Sequence, residues 1–299
     1  MGAETNLKEG AEARRFRASA YLVTWCERER RITAKSNLPP SIQHSHGSDG
    51  GARPDNALPA KSATMKRNPA KELNMKNLLV VICMLSIGSL AWAQSAPPLA
   101  SAQSFAVLGA STVTNTGPTI ITGDLGVSPG TGVTGFPPGS VIGGTVHAGD
   151  ATATAAQAAA HTAYANLVAQ PCGTNLTGKT LGTSPGAVTL SPGVYCFNSS
   201  AQLTGTLTLS GNGIYVFKIG STLTTASNSS VVLANGATAG RVFWQVSSSA
   251  TLGTNTAFEG SILANIGDTI TTGASVAGRV FALTGAVTLS ENRIRAASK

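Results

Sequence analysis

The chain has 299 residues, 21 Lys and Arg against 13 Asp and Glu, and a formal net charge of +8. Thirteen of those cations and eight of those acids precede residue 75, and from Gln94 onward the balance is seven against five. Clustered basic residues of the kind a nucleic-acid-binding surface needs are therefore absent from the part of the chain that reads as folded. With 11% charged and 5% aromatic residues, what remains is a sequence of small, hydroxyl and aliphatic side chains.

Residues 1–74 show no sustained hydrophobic periodicity and read either as a disordered extension or as an over-extended gene start. Arg28, Arg30 and Arg31 within them are a solvated charge run. At Met75 a different layout begins. Lys76 supplies a positive n-region, Leu78 to Leu90 an apolar stretch, and Ala91-Trp92-Ala93 a small-residue cleavage site. Residues 75–93 have the organisation of a secretory signal peptide, and the apolar run is shorter than the roughly 20 residues of a membrane span. The expectation is export of a protein that starts at Gln94, with no span in the mature chain. The alternative is a cytoplasmic extension followed by a short anchor over Leu78 to Ala93.

Cys26 and Cys83 fall in those two segments, which leaves Cys172 and Cys196. An even pair in an exported domain predicts a disulfide; two free buried thiols are the alternative. A metal site is not expected, because the mature chain has no C-x-x-C and only His147 and His161. No cofactor motif is present.

Gln94 to Ser104 is a short lead-in, and residues 105–295 form the expected domain. Val113 to Thr116, Thr119 to Thr122 and Val141-Ile142 are short strands punctuated by Gly and Pro. Ser128-Pro129-Gly130, Ser184-Pro185-Gly186 and Ser191-Pro192-Gly193 carry the Pro-then-Gly chemistry of tight turns. About residues 150–170 the pattern changes to an Ala-rich run. Ala is the strongest helix former, Asp150 is placed as an N-cap and Pro171 ends the run, so one helix of about 20 residues, about 30 Å long, is predicted. Beyond Cys172, Val216 to Ile219, Val242 to Val246 and Ser261 to Leu263 alternate as strands with an inward face. Leu252, Ile270 and Leu289 are spaced by 18 and 19 residues, a solenoid turn each, while the 29-residue step from Leu223 to Leu252 holds an insertion. The Thr-rich phrases riding on this spacing could form rows of hydroxyls on one face of a stacked β-solenoid.

Catalytic readings fail on chemistry. Gly126-Val127-Ser128-Pro129-Gly130 and Gly182-Thr183-Ser184-Pro185-Gly186 match a nucleophile-elbow pattern. That mechanism, however, uses the backbone N–H after the Ser, and Pro has none. Asp124, Asp150, Glu259, Asp268 and Glu291 are too scattered to make a carboxylate pair. His147 has no visible partner, His161 is a surface or groove residue, and Trp244 is a core residue before it is a sugar platform. No enzymatic activity is expected.

With these blocks placed, the chain resembles the bacterial and fungal ice-binding protein family (DUF3494, the ice-binding-like domain). The resemblance rests on Phe105-Ala106-Val107-Leu108-Gly109, Ser111 to Gly117, Gly123 to Gly130, Gly135 to Gly139, Leu190 to Tyr195, Gly220 to Ser227, Val242 to Val246 and Gly285 to Leu289. It implies a mainly β fold, a right-handed irregular β-helix of triangular section with one long α-helix alongside. It also implies a secreted protein, acting as a monomer, whose partner is ice or ordered water, with neither nucleic acid nor cofactor. Some members carry a T-A/G-x-T/N phrase on the ice-binding face. Thr116-Gly117-Pro118-Thr119 and Thr225-Ala226-Ser227-Asn228 fit it, Thr272-Gly273-Ala274-Ser275 departs at its last position, and Thr254-Asn255-Thr256-Ala257 departs at two. Leu289-Ser290-Glu291-Asn292 lacks the Thr and places a charge there, so the face is expected to stop before it. The residues expected to bind ice are Thr225, Asn228, Thr254, Thr272 and Ser275, flanked by Thr222, Thr256 and Thr269, with Thr116 and Thr119 at one end. A cell-surface or matrix adhesion module on the same scaffold is the alternative, and an enzyme acting on acidic polysaccharides is a weaker one.

Overall fold

The computed structural model describes residues 94–183 and 186–297. The signal-peptide segment, residues 1–74 and the turn residues Ser184 and Pro185 lie outside them.

Short strands separated by Gly and Asn corners cannot bury a face alone, so the chain stacks them. Among the described residues every strand pair is parallel, and the strands assemble into three sheets of nine, seven and eight. Sheet I includes Phe105–Gly109, Gly193–Phe197, Tyr215–Ile219, Val242–Val246 and Ser261–Ala264; sheet II includes Leu223–Thr225, Ala250–Leu252, Asp268–Ile270, Val287–Ser290 and Thr112–Thr116; sheet III includes Ser230–Ala234, Ala257–Glu259, Ser275–Ala277 and Arg293–Arg295. Each full coil contributes one strand to each sheet in turn; the first coil meets sheet II only through the bridge of Leu181 to Leu203, and strand Val146–Ala148 adds a ninth strand to sheet I. Along the stack the coils are residues 174–190, 193–210, 215–234, 242–259, 261–277, 280–295, 105–122 and 124–142.

Chain order and stacking order therefore differ. The first two coils in sequence are the seventh and eighth in space. After strand Val146–Ala148, helix α1 (Ala151–Ala169) carries the chain back along the stack. The chain then winds from the first coil to the sixth and closes against the seventh. Nineteen helical residues span about 28 Å, the length of about six coil steps at about 4.8 Å each. The register is continuous across the junction: Val280 pairs with Val107, Thr288 with Thr114 and Ile294 with Ile121. Arg279, 4% exposed, stitches this seam through its Nε and Nη2, which donate to the Gln103 carbonyl at 3.2 and 2.6 Å, Nη2 also reaching that of Ala297 at 3.0 Å.

Asp150 caps α1 as the sequence predicts, its Oδ1 accepting from the Ala153 amide at 2.8 Å. Its Oδ2 also holds His147 Nδ1 at 2.7 Å, a partner the sequence did not reveal. At the other end the Lys218 ammonium donates to the carbonyls of Val168 and Gln170, satisfying helix-terminal acceptors. Ala153, Ala156, Gln157, Ala160, Ala163 and Leu167 form the buried stripe, packed on the outer face of sheet I against Leu108, Val216, Phe243, Leu263 and Phe281. Gln157 Nε2 donates to the carbonyls of Ala282 and Leu283. Strands such as Val242–Val246 are consequently buried along their whole length, where alternation predicted one exposed face, because core lies on one side and helix on the other.

Inside the stack, Tyr195, Phe217 and Trp244 lie in register and form an aromatic ladder, Phe217 and Trp244 stacked at 3.8 Å between centroids. Trp244 is fully buried, its indole N–H donating to the Glu259 carbonyl at 3.0 Å. Cys172 and Cys196 form the expected disulfide. The expected insertion is residues 235–241, between strands Ser230–Ala234 and Val242–Val246. Leu252, Ile270 and Leu289 are in register, but Leu223 pairs with Ala250, two residues before the predicted partner.

The closeness of α1 to sheet I rests on Ala. Replacing Ala163, fully buried, with Leu should cost about 1–3 kcal/mol by overpacking, while Ala158→Leu on the exposed helix face should stay within about 0.5 kcal/mol; urea unfolding of the two variants checks the difference.

Candidate functional site

Helix α1 covers sheet I, which leaves the outer faces of sheets II and III. In sheet II the residues at alternate positions face the core, among them Leu223, Ala250, Leu252, Ile270, Val287, Leu289 and Val113, all 2% exposed or less. The residue between them must point outward, and in six successive coils that residue is Thr. Thr224 pairs with Thr251, Thr251 with Thr269, Thr269 with Thr288, Thr288 with Thr114, and Thr114 with Thr134. Gln202 lies beside Thr224. One step further out, Thr180 precedes Leu181, which bridges Leu203, and so stands beside Gln202. Thr224, Thr269, Thr288 and Thr134 are exposed, and Thr251 and Thr114 are half-buried.

From Thr224 to Thr134 the row runs about 24 Å at about 4.8 Å per step. Thr114 and Thr288 hydroxyls approach to 3.5 Å across the seam. Beside the row, Thr222 Oγ1 donates to Ser200 Oγ at 2.8 Å, and Ser249, Gly267, Ala286, Thr112 and Gly132 keep that margin low. Among the strand residues of sheet II the one charged side chain, Asp268, points inward and is buried. Sheet III is irregular by comparison. Its outer face carries exposed Arg293 and Arg295, half-buried Glu259 and the exposed aliphatics Val232 and Ile142.

Of the residues expected at the site, only Thr269 lies on this row. Thr222 lies at its margin, and Thr116 ends its strand, exposed and opposite Ser290. Asn228, Thr254 and Thr272 are exposed at the corner between sheets II and III. Ser275 begins a strand of sheet III. Three of the expected residues are turned inward. Thr225, 3% exposed, and Thr256, 1% exposed, share a hydroxyl hydrogen bond of 2.8 Å, and Thr225 Oγ1 also accepts from the Gly253 amide at 2.8 Å. Thr119, fully buried, accepts from the Asn292 amide at 3.0 Å. These hydroxyls close the corner and face no solvent.

The cause is a slipped alignment of the repeat. Asn228 N donates to Thr254 O, Asn255 N to Thr272 O, Gly273 N to Ser290 O and Glu291 N to Thr116 O. Asn228, Asn255, Gly273, Glu291 and Gly117 are thus the equivalent positions, and all five have φ between 51° and 77°. The four-residue phrase marks that left-handed corner, which favours Gly and Asn. Aligned this way, Thr254 and Thr272 match Ser227, and Thr225 matches neither. In the sixth coil Thr288 continues the row, and Glu291 sits at the corner. The residues of the row that the sequence reading did not name, Thr114, Thr134, Thr224, Thr251 and Thr288, carried a period-two signal, a Thr between two inward-facing neighbours, as in Ala250-Thr251-Leu252 and Val287-Thr288-Leu289.

Ser128 of the first nucleophile-like motif is buried, its hydroxyl sharing a 3.0 Å hydrogen bond with Thr154 in the first turn of α1. Among the described residues, no group of three or more His, Cys, Asp or Glu is placed to hold a metal ion, and no helix is long and apolar enough to cross a membrane.

Three parallel sheets wound in coils, a helix sealing one of them and an uncharged hydroxyl row on another define a β-solenoid with one regularly repeating face. The sequence matches the family described as Ice-binding-like over residues 107–295, and the chain belongs to that family. It is 50% identical over 222 residues to an ice-binding protein of Nostoc sp. (strain HG1), covering 73% of this chain and 80% of the relative. An ice-binding protein of Flavobacterium frigoris (strain PS1) is 33% identical over 211 residues, 66% of this chain and 75% of the relative. The crystal structure of an ice binding protein from an Antarctic biological consortium superposes with a TM-score of 0.65 at 42% identity, covering 69% of this chain and 93% of that one.

The two kinds of Thr should respond oppositely to loss of the hydroxyl. Thr225→Val strands the Gly253 amide and should cost about 1–3 kcal/mol, whereas Thr251→Val on the outer row should stay within about 0.5 kcal/mol; equilibrium denaturation separates them.

Proposed function

We propose that this protein is exported and adsorbs to ice through the outer face of sheet II. The observation that carries the reading is the in-register row Thr224, Thr251, Thr269, Thr288, Thr114 and Thr134 on a surface without outward charges. β-Branching restricts χ1 of each Thr, and the backbone beneath is fixed by hydrogen bonds on both sides, so ordering the face against a solid costs little further entropy. The methyl groups favour a cage-like water layer, and the hydroxyls anchor that layer by hydrogen bonds. A layer already spaced by the coil repeat can merge with a lattice, and many weak contacts made together release slowly.

The row is complete within one chain, so adsorption requires no oligomer. Export follows from the signal-peptide layout at Met75, and no step of the proposed action calls for catalysis. Slowing recrystallisation of ice outside the cell is the resulting role.

Thr251→Tyr/Thr269→Tyr raises two bulky rings in the middle of the row and should abolish ice-recrystallisation inhibition with the fold unchanged by circular dichroism. Val232→Tyr on sheet III should retain it. Activity surviving the first pair of substitutions would move the site off sheet II.

Gln202 interrupts the row between Thr180 and Thr224. Gln202→Thr should therefore lower the protein concentration at which recrystallisation stops, measured beside wild type in the same assay.

A further inference from the structure

Asp268 lies at the centre of the threonine sheet, one residue before Thr269, with its side chain turned into the stack. It is 2% exposed. Neither carboxyl oxygen has a hydrogen-bond partner among the described residues. Its neighbours in the ladder are Ala250 and Val287. No titratable or charged side chain stands on the strands in contact with its own, Ala250–Leu252 and Val287–Ser290 in sheet II and Val280–Ala282 in sheet I; the charged residues of the adjoining coils in sheet III are half-buried Glu259 and exposed Arg293 and Arg295. The position asks for a small aliphatic residue and holds an acid.

An ionised carboxylate there would have neither a cation nor a hydrogen-bond donor among the described residues to offset its burial, and such a charge costs far more than a neutral polar group. We infer that Asp268 works as a neutral-acid latch: protonated, it lets the fifth coil seat in the stack, and loss of its proton to solvent unseats that coil and takes Thr269 out of the row. The consequence for ice adsorption rests on the reading of the threonine face given above; the latch does not.

Burial holds the Asp268 carboxyl well above its usual value, in keeping with this geometry. In the unfolded chain it titrates at about 3.9. Between that value and the higher folded one the native state binds one more proton than the unfolded state. The unfolding constant should then rise by up to about tenfold per pH unit. This stabilisation is fully present below about pH 4 and is lost as pH climbs towards the folded value.

The test is urea unfolding of the full chain, without ice, from pH 4 to pH 8 for wild type, Asp268→Asn and Asp268→Val. The ratio of the wild-type unfolding constant to that of either variant should climb steeply with pH; a flat ratio overturns the latch. Should both variants fail to fold, carbon-13 carboxyl spectra of wild type labelled at Asp decide, since one aspartate must stay protonated after the others have ionised. Complete ionisation of all aspartates by pH 5 in folded protein overturns the proposal. A steep ratio together with a wild type inert towards ice at every pH supports the latch and sinks the threonine-face reading instead.

Discussion

Everything in this molecule depends on parallel registry held from one coil to the next. Backbone hydrogen bonds set the spacing of about 4.8 Å, and whatever residue occupies a given position in one coil is placed over its equivalent in the next. Inward positions therefore become ladders of aliphatic and aromatic side chains, and outward positions become rows. The row of sheet II crosses the seam where the sixth coil meets the seventh, so Thr288 and Thr114, 174 residues apart in the chain, are neighbours. The surface is a product of chain closure. The bonds from Ala110 N and Ser111 N to the Gly285 carbonyl at 2.9 and 3.0 Å, with Arg279 beneath, hold the two halves of the row in line.

Closure in turn depends on α1. Because the N-terminal coils lie beyond the C-terminal one, the chain must travel back along the stack, and a helix does this with its interior backbone groups satisfied, Asp150 and Lys218 meeting some of those at its ends. Its Ala stripe lets it lie close to sheet I, and Gln157 ties it to the corner of the sixth coil. By covering one face the helix also decides which faces remain for function. Of the two left, sheet III mixes Arg293, Arg295, Glu259 and aliphatics, so its relief varies from coil to coil. Sheet II repeats one short side chain.

Much of this was legible in the sequence, and what was not has specific causes. The solenoid, the helix from Asp150, the disulfide and the core role of Trp244 follow from composition, capping and local alternation. The order of coils does not, since no local signal tells Phe105–Gly109 that its neighbour is Val280–Ala282. The outward threonine row was half legible. Counting Thr finds the right segments, but a slip of one residue in a strand exchanges the inward and outward sets. Thr224 and Thr225 are adjacent, and the phrase drew attention to the buried one. His147 showed no partner because the three-residue step to Asp150 becomes a contact only through the turn between strand Val146–Ala148 and the helix that Asp150 caps.

Thr serves two opposed purposes in these coils, and the geometry of its neighbours decides which. At the corner, Thr225, Thr256 and Thr119 use their hydroxyls to satisfy amides and one another in a place water does not reach, and their value is structural. On the strand two flanking aliphatics fix the Thr outward, its hydroxyl has few protein partners, and it is left for solvent. A face that orders water needs the second kind in quantity and the first kind to hold its edge straight. The αL corner of Asn228, Asn255, Gly273, Glu291 and Gly117 turns five successive coils at equivalent positions. The regularity of the row thus depends in part on the corner, on residues that lie off the row itself.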